Sequence, residues 1–228
     1  MNDQVAVKGV SETKQFLAAL KGQIPYATSL ALNRTGKEVI AAQKDQMRRD
    51  FDEPTPYTLN SLFATKATKV KQETRTRIKS PTPTEQGQTD KHYVGVQIWG
   101  GVRRDKASEK SLRKHGLLPS GYQMVPGAGL KLNKYGNVSG GRVAAIVGAL
   151  GANTSATTAA GTILVGEVGG TKGIWQVQAR KWLPLFIFVK TPRYDPLLDY
   201  YGVSDSVFKK RWPAIFGDAI DQALRTAR

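Results

Sequence analysis

The order of apolar and polar positions along the first fifty residues predicts two helices. A short strand at residues 5–7 precedes Ser11, whose side chain suits a helix N-cap, and Gly22 ends the first helix. Pro25 is the expected first residue of a second, longer helix, because the N–H that proline lacks has no partner in a first helical turn. The apolar stripe of the second helix contains Ala27, Leu30, Ala31, Val39, Ile40 and Ala42.

Glycine and proline are expected to interrupt and to end this second helix. Gly36 lowers the stability of its middle by roughly 1 kcal/mol relative to alanine, which predicts a kink or a break. Pro54 and Pro56 end the helix, because proline disfavours the helical conformation of the residue before it. The apolar residues between Pro54 and residue 63 then predict a rigid corner, with the rings of Tyr57 and Phe63 buried between helix and sheet.

Alternating residue character then predicts two threonine-rich strands at residues 65–70 and 74–79. In the second strand the period of two places Arg75, Arg77 and Lys79 on one face. A proline-containing loop follows, and the apolar residues at 93–99 predict a third, more buried strand. The region after the helices is therefore predicted to be a sheet.

The middle of the chain, residues 100–173, has the composition of an elaboration. It contains a basic helix at residues 108–115 and a small-residue helix that Ser139 caps and that ends at Leu150. Residues 154–161 are rich in alanine and threonine, and we expect them to be mobile.

Strands return before a closing amphipathic helix that starts at about Ser204 and that Pro213 is expected to kink or break. The predicted strands are residues 162–168, 173–177 and 184–189. Helices at both ends of an antiparallel sheet predict an α+β fold. One domain would comprise residues 1–100 and 173–228, with residues 101–172 as a basic, Gly/Ala-rich insertion.

Charge narrows the possible partners. The 228-residue chain carries a net charge of +16, with a pI of about 10.1, and half of that excess lies in residues 64–116. Such a local excess predicts a surface that contacts DNA or an acidic protein. The candidate contact residues are Arg75, Arg77, Lys79, Arg103, Arg104, Lys106, Arg113 and Lys114.

Side chains for catalysis or metal binding are scarce. The chain has no cysteine and two histidines, His92 and His115, and it lacks a Gly-x-Ser-x-Gly elbow. The acidic group at residues 50–53 lacks an evident second cluster to share a metal ion, although Asp195 and Asp199 are candidates by default. We therefore expect no enzyme activity, no cofactor and no metal.

The sequence also predicts no targeting signal and no membrane segment, because the most apolar run, residues 143–150, is too short to span a bilayer. Zero cysteines fits assembly in a reducing cytoplasm. Trp175 and Trp182 lie beside Arg180 and Lys181, an arrangement that permits base stacking, but their apolar strands favour packing.

Three blocks of the sequence resemble a known group of proteins. They are ALNR at residues 31–34, RRDFDEPTPYTLNSLF at residues 48–63, and WLPLFIFVKTPRY at residues 182–194 with the chain that follows. Together they resemble the minor tail protein Z, or tail-completion, proteins of tailed bacteriophages and prophages. The resemblance covers both ends of the chain and leaves about residues 80–172 weakly matched.

This resemblance implies a structural virion protein of the tail or the head–tail junction, with a tail-completion or connector role. Such a protein would form a homo-oligomeric ring of six or twelve copies around the DNA channel, after assembly in the host cytoplasm. Its partners would be portal, adaptor or tail-tube components. The residues expected to serve assembly or the core are Pro54, Pro56, Tyr57, Leu59, Phe63, Pro192, Arg193 and Tyr194. The alternative is a phage protein that binds nucleic acid non-specifically, outside the mature particle.

Overall fold

The computed structural model describes residues 10–79 and 93–226. The helices are α1 (Val10–Asp50), α2 (Pro56–Leu59), α3 (Val94–Trp99), α4 (Ala107–Lys114), α5 (Gly140–Leu150) and α6 (Tyr200–Arg225). The strands are β1 (Leu62–Ala64), β2 (Thr76–Ile78), β3 (Tyr122–Pro126), β4 (Ser155–Thr158), β5 (Gly161–Val168), β6 (Thr171–Gln178) and β7 (Lys181–Lys190). Helices and antiparallel sheets together confirm the α+β prediction.

The chain divides into two compact units. Unit 1 comprises the described residues within 1–51, 56–94 and 198–228, and unit 2 comprises residues 52–55 and 95–197. The predicted boundary between residues 172 and 173 lies inside strand β6, and the middle of the chain supplies three strands of the same sheet. The reason is that strands 5 to 7 form a meander in which each strand pairs with the one before it.

Helix α1 is continuous, so the prediction of two helices separated at Gly22 and Pro25 is wrong. Its packing against α6 explains this difference. Ala27 and Ala31 of α1 are buried in one cluster with Ala219 and Ala223 of α6. Small side chains let the two helix backbones approach closely, and the burial along this seam offsets the local cost of glycine and proline in α1.

Helix α6 is also continuous through Pro213, so the predicted break into two pieces is absent. It begins before Ser204, because the Asp199 carboxylate caps it by accepting a hydrogen bond from the Gly202 N–H at 2.9 Å. The continuation beyond Pro213 buries Ile215 and Ala219 against α1. Tertiary packing again outweighs local propensity.

Strands β1 and β2 form an antiparallel pair in unit 1, with Leu62 opposite Ile78 and Ala64 opposite Thr76. Strand β2 is shorter than the predicted strand at residues 74–79, whereas β1 precedes residues 65–70, which contain no strand, so the prediction of a strand there is wrong. Residues 93–99, predicted as a strand, instead contain helix α3. Buried Val94 and Ile98 are one helical turn apart, a spacing that a short apolar run does not distinguish from a strand.

Unit 2 contains a five-stranded antiparallel sheet in the order β3-β7-β6-β5-β4. Helix α5 packs over its core with Ile146, Val147 and Leu150 buried, and Ser139 caps α5 as predicted. The predicted basic helix is confirmed as α4, and the three predicted late strands are confirmed as β5, β6 and β7. Residues 154–161, expected to be mobile, instead contain β4 and its turn into β5. No helix in the described ranges is long and apolar enough to cross a membrane.

Candidate nucleic-acid interface

The side chain of Asn33 on α1 holds the loop between β1 and β2. Its Nδ2 donates to the Ala67 carbonyl at 2.9 Å, and its Oδ1 accepts from the Ala67 N–H at 2.8 Å. Ala67 is buried by this contact, although its neighbours along the loop are exposed. We call residues 62–79 the basic ribbon; it consists of β1, β2 and this loop.

Gly36 lets the basic ribbon lie close to α1. A Cβ atom at this position would stand 3.0 Å from the Ala64 Cβ and 3.2 Å from the Thr74 Oγ1, which is tighter than nearly all real contacts. The predicted break at Gly36 is absent, because α1 remains helical there. The glycine therefore serves the approach of the ribbon.

Helix α6 holds strand β2 of the ribbon. The Tyr200 hydroxyl donates a hydrogen bond to the Thr76 carbonyl at 2.7 Å. Burial raises the pKa of Tyr200 to about 12, so the phenol keeps its proton and remains a donor at neutral pH. Both long helices of unit 1 thus fix the position of the ribbon.

Hydrogen bonds inside the loop stiffen the ribbon further. The Thr74 hydroxyl donates to the Thr65 carbonyl at 2.6 Å, and the Thr65 hydroxyl accepts from the Arg75 N–H at 2.7 Å. Thr68 and Lys71 close a tight turn through two hydrogen bonds of 2.9 Å. The cations carried by this loop therefore stand on an ordered backbone.

Positive charge dominates the ribbon. Its cationic residues are Lys66, Lys69, Lys71, Arg75, Arg77 and Lys79, all exposed except the half-buried Arg77. Its single acidic residue is Glu73, which lies 2.8 Å from the Arg75 Nε and 3.8 Å from the Lys71 Nζ. Exposed pairs of this kind contribute little to stability, so the surface keeps a net positive charge available to an anionic partner.

Three of the predicted contact residues belong to this ribbon. Arg77 lies in β2, on the face opposite the buried Ile78. Arg75 and Lys79 lie two residues before and after it, which places them on the same side by the period of two. The Lys69 ammonium, which the prediction did not include, stands 5.1 Å from the ring centre of Tyr26.

The arginines predicted in unit 2 are engaged inside that unit. Arg103 binds the fully buried Glu109 carboxylate through two hydrogen bonds of 2.7 Å. Arg113 binds Asp105 at 2.8 and 3.1 Å and also donates to the carbonyls of Pro119 and Tyr122. We therefore leave Arg103 and Arg113 out of the candidate interface.

The buried Glu109 stays ionised. Burial alone would raise the pKa of this carboxyl group, but hydrogen bonds from the Arg103 guanidinium and from the backbone N–H groups of Lys106 and Met124 hold the pKa below its usual range. Arg104, Lys106 and Lys114, the other predicted contact residues of unit 2, have exposed side chains.

The predicted rigid corner at residues 54–63 differs from the expectation in the burial of its aromatic rings. Tyr57 is 57% exposed and Phe63 is 38% exposed, so the prediction of buried rings is wrong. Tyr57 stacks on Tyr93 with ring centres 6.1 Å apart. The buried residues of the stretch are Thr58, Ser61 and Leu62. Pro54 and Leu59 are half-buried, and Pro56 is exposed.

The third resembling block, residues 182–194, contributes backbone pairing in unit 2. Tyr194 exchanges hydrogen bonds of 2.8 and 2.9 Å with Gly101. Pro192 is half-buried, and Arg193 is exposed. Trp175 is buried, as packing in an apolar strand predicts, whereas Trp182 is 48% exposed.

Sequence reasoning missed the residues that fix the ribbon, namely Asn33, Gly36 and Tyr200. The available signal for Asn33 was its amide side chain, because such a group needs a hydrogen-bond partner when it is covered. In the described ranges, no three His, Asp or Glu side chains are grouped so that they would hold a metal ion. His115 ends α4, and His92 lies outside the described residues.

Comparison with known proteins adds no relative. No family model matches the chain, and no curated protein or solved structure matches it either.

Replacement of Asn33 by alanine leaves the N–H and carbonyl of Ala67 without their partner. We expect a loss of about 1–3 kcal/mol of unfolding free energy, since buried backbone groups then lack hydrogen bonds. Hydrogen exchange at residues 65–70 should accelerate. Asn60→Ala is the control, because Asn60 is exposed and accepts only from the Lys44 ammonium among the described residues. Equal effects of the two variants on exchange would contradict this role of Asn33.

Replacement of Glu109 by glutamine should cost about 3–5 kcal/mol, because the largely buried Arg103 loses its counter-charge. The pKa of Glu109 is lowered in the folded state, so its stabilising contribution is present at neutral pH and is lost as the pH falls through the folded pKa. The variant should therefore show a weaker loss of stability in acid than the parent protein. Urea unfolding at a series of pH values measures both effects, with exposed Glu167→Gln as the control.

Proposed function

We propose that this protein is a structural virion protein of a tailed bacteriophage, located in the tail or at the head–tail junction with a tail-completion or connector role. In this proposal identical copies form a ring around the DNA channel, in six or twelve copies. The observation that carries it is the basic ribbon, a cationic surface fixed to both long helices of unit 1 by Asn33 and Tyr200.

The placement of the ALNR block supports the proposal. Ala31 is fully buried in the seam between α1 and α6, Asn33 binds the basic ribbon, and Arg34 donates to the side chain of Gln222 on α6. The block that resembles phage tail-completion proteins is thus the part of α1 that holds both the ribbon and α6.

Electrostatics indicates what the ribbon faces. Copies of a cationic surface repel one another unless the surface meets water, DNA or an acidic partner. In the particle the ribbon would face the DNA in the channel or an acidic surface of a portal, adaptor or tail-tube subunit. Its lysines and arginines would contact phosphates without reading bases.

The alternative function is non-specific nucleic-acid binding outside the mature particle. The same exposed lysines and arginines favour it, because phosphate contact needs no ring. The two functions differ in one observation. A virion component is present at a fixed copy number in purified particles, whereas a protein that acts outside them is absent.

We expect the isolated protein to bind duplex DNA without sequence preference and with an affinity that falls steeply as salt rises, since phosphate contacts release counterions. Changing Arg75, Arg77 and Lys79 to glutamine should reduce the slope of log K against log salt by roughly 0.9 for each lost phosphate contact. The control changes exposed Lys131, Lys172 and Lys181 of unit 2, with the same loss of charge. Fluorescence anisotropy measures binding. Sequence-specific, salt-insensitive binding, or equal slopes in the two triple variants, would contradict the assignment of the ribbon.

A further inference from the structure

The five-stranded sheet of unit 2 has two edge strands, β3 and β4. The outer backbone groups of an edge strand are a template for another strand unless they are blocked. These two edges differ in their hydrogen bonding, and the difference indicates how a second chain would dock.

The outward donors of β3 are all blocked. The backbone N–H and carbonyl groups of Tyr122 and Met124 point away from β7. Gly121 and Gly127 on either side make backbone hydrogen bonds to β7 and its flank, and this orientation alternates along a strand. The Tyr122 N–H donates to the Pro119 carbonyl at 3.3 Å, and the Met124 N–H donates to the buried Glu109 carboxylate at 2.9 Å. Pro126 has no N–H.

An ion pair also closes this edge on the acceptor side. The Tyr122 carbonyl accepts a hydrogen bond of 2.8 Å from Arg113, which Asp105 holds in place. The network of Glu109 and Arg113 therefore covers the outer side of β3. A second strand would have to displace these charged groups before it could pair there.

The edge at β4 is open. The Val165 N–H donates to the Thr154 carbonyl, so Thr154, Ala156 and Thr158 direct their backbone groups towards β5. Ser155 and Thr157 therefore direct theirs outward. Both residues are exposed, and their outward N–H and carbonyl groups have no hydrogen-bond partner among the described residues.

The stretch of chain that contains β4 carries no charged residue. Residues 143–166 contain no Lys, Arg, Asp or Glu, although the chain as a whole has a net charge of +16. Helix α5, which contacts β4, exposes the small residues Ala144, Ala145, Gly148 and Ala149 along its length, and its one charged residue, Arg142, lies in its first turn. Two copies of a strongly basic protein can approach at this edge without bringing like charges together.

We propose that β4 pairs antiparallel with β4 of a second copy of this chain. With the two-fold axis at Ala156, Ser155 of each copy lies opposite Thr157 of the other. Each of these opposing pairs exchanges both N–H···O bonds, so every outward backbone group of Ser155 and Thr157 gains a partner. Ala156 faces its own symmetry mate.

A two-fold contact between the β4 edges of two copies fits this sheet better than a head-to-tail contact between β4 and β3. Head-to-tail continuation of the sheet would join β4 of one copy to β3 of the next, and β3 is closed by Glu109 and Arg113. The β4–β4 contact is isologous and closes at two copies. It is independent of the proposed virion function, and a ring would need a further contact elsewhere on the surface.

Single-cysteine variants test this register, because the chain has no native cysteine. Facing Cα atoms at Ala156 would stand about 4.5 Å apart in a non-hydrogen-bonded pair, a separation that a disulfide spans. Ala156→Cys should therefore form a disulfide-linked dimer under mild oxidation. Ser155→Cys is the control, because its symmetry mates lie on a diagonal at roughly 7–8 Å and should cross-link several times less.

A second variant separates pairing from folding. Thr157→Lys places charges on both facing strands and should shift the full-length protein from dimer to monomer in sedimentation-velocity measurements. Gln178→Lys adds the same charge at an exposed site near the β6–β7 turn and should leave the dimer intact. The monomers of the two variants should unfold at similar temperatures, which shows that Thr157→Lys disrupts pairing and not folding. A monomeric parent protein, a dimer that survives Thr157→Lys, or equal cross-linking of the two cysteine variants would overturn the proposal.

Discussion

The double hydrogen bond between the Asn33 side chain and the backbone of Ala67 is the contact on which the arrangement of unit 1 depends. A loop rich in lysine would otherwise repel itself and remain extended in water, because charges of one sign favour separation. Asn33 offers a donor and an acceptor at once, so it satisfies both backbone groups of the one loop residue that is buried. Gly36, one turn further along α1, removes the side chain that would block this approach. The cationic surface therefore has a fixed shape before any partner binds.

Unit 2 uses charge differently. Its strongest electrostatic contacts are internal, and they join Arg103 to the buried Glu109 and Arg113 to Asp105. A buried pair costs desolvation and contributes little net stability compared with apolar packing, but it specifies geometry. Here the geometry is the covering of strand β3, while β4 stays uncovered. Among the predicted contact residues, Arg75 and Lys79 of unit 1 are thus exposed, whereas Arg103 and Arg113 of unit 2 have structural partners.

Local signals allowed part of this structure to be predicted. The predictions of the Ser139 cap and of the strands after residue 161 are confirmed, because a cap and a strand period are properties of neighbouring residues. The predictions of a strand at residues 93–99 and of a helix boundary at Pro25 failed, because packing against distant residues decides both. The partners of Arg103 and Arg113 were also out of reach. Charge counts place a cation in a segment, but only the fold decides whether a carboxylate stands beside it.

Electron cryomicroscopy of purified phage particles tests the proposed virion role, because it locates the basic ribbon in the assembly. We expect a ring of this chain in which the cationic side chains of residues 66–79 face the DNA channel or an acidic surface of a neighbouring virion protein. A ring in which this ribbon points to open solvent on the outside of the particle, or particles that lack the chain, would contradict it.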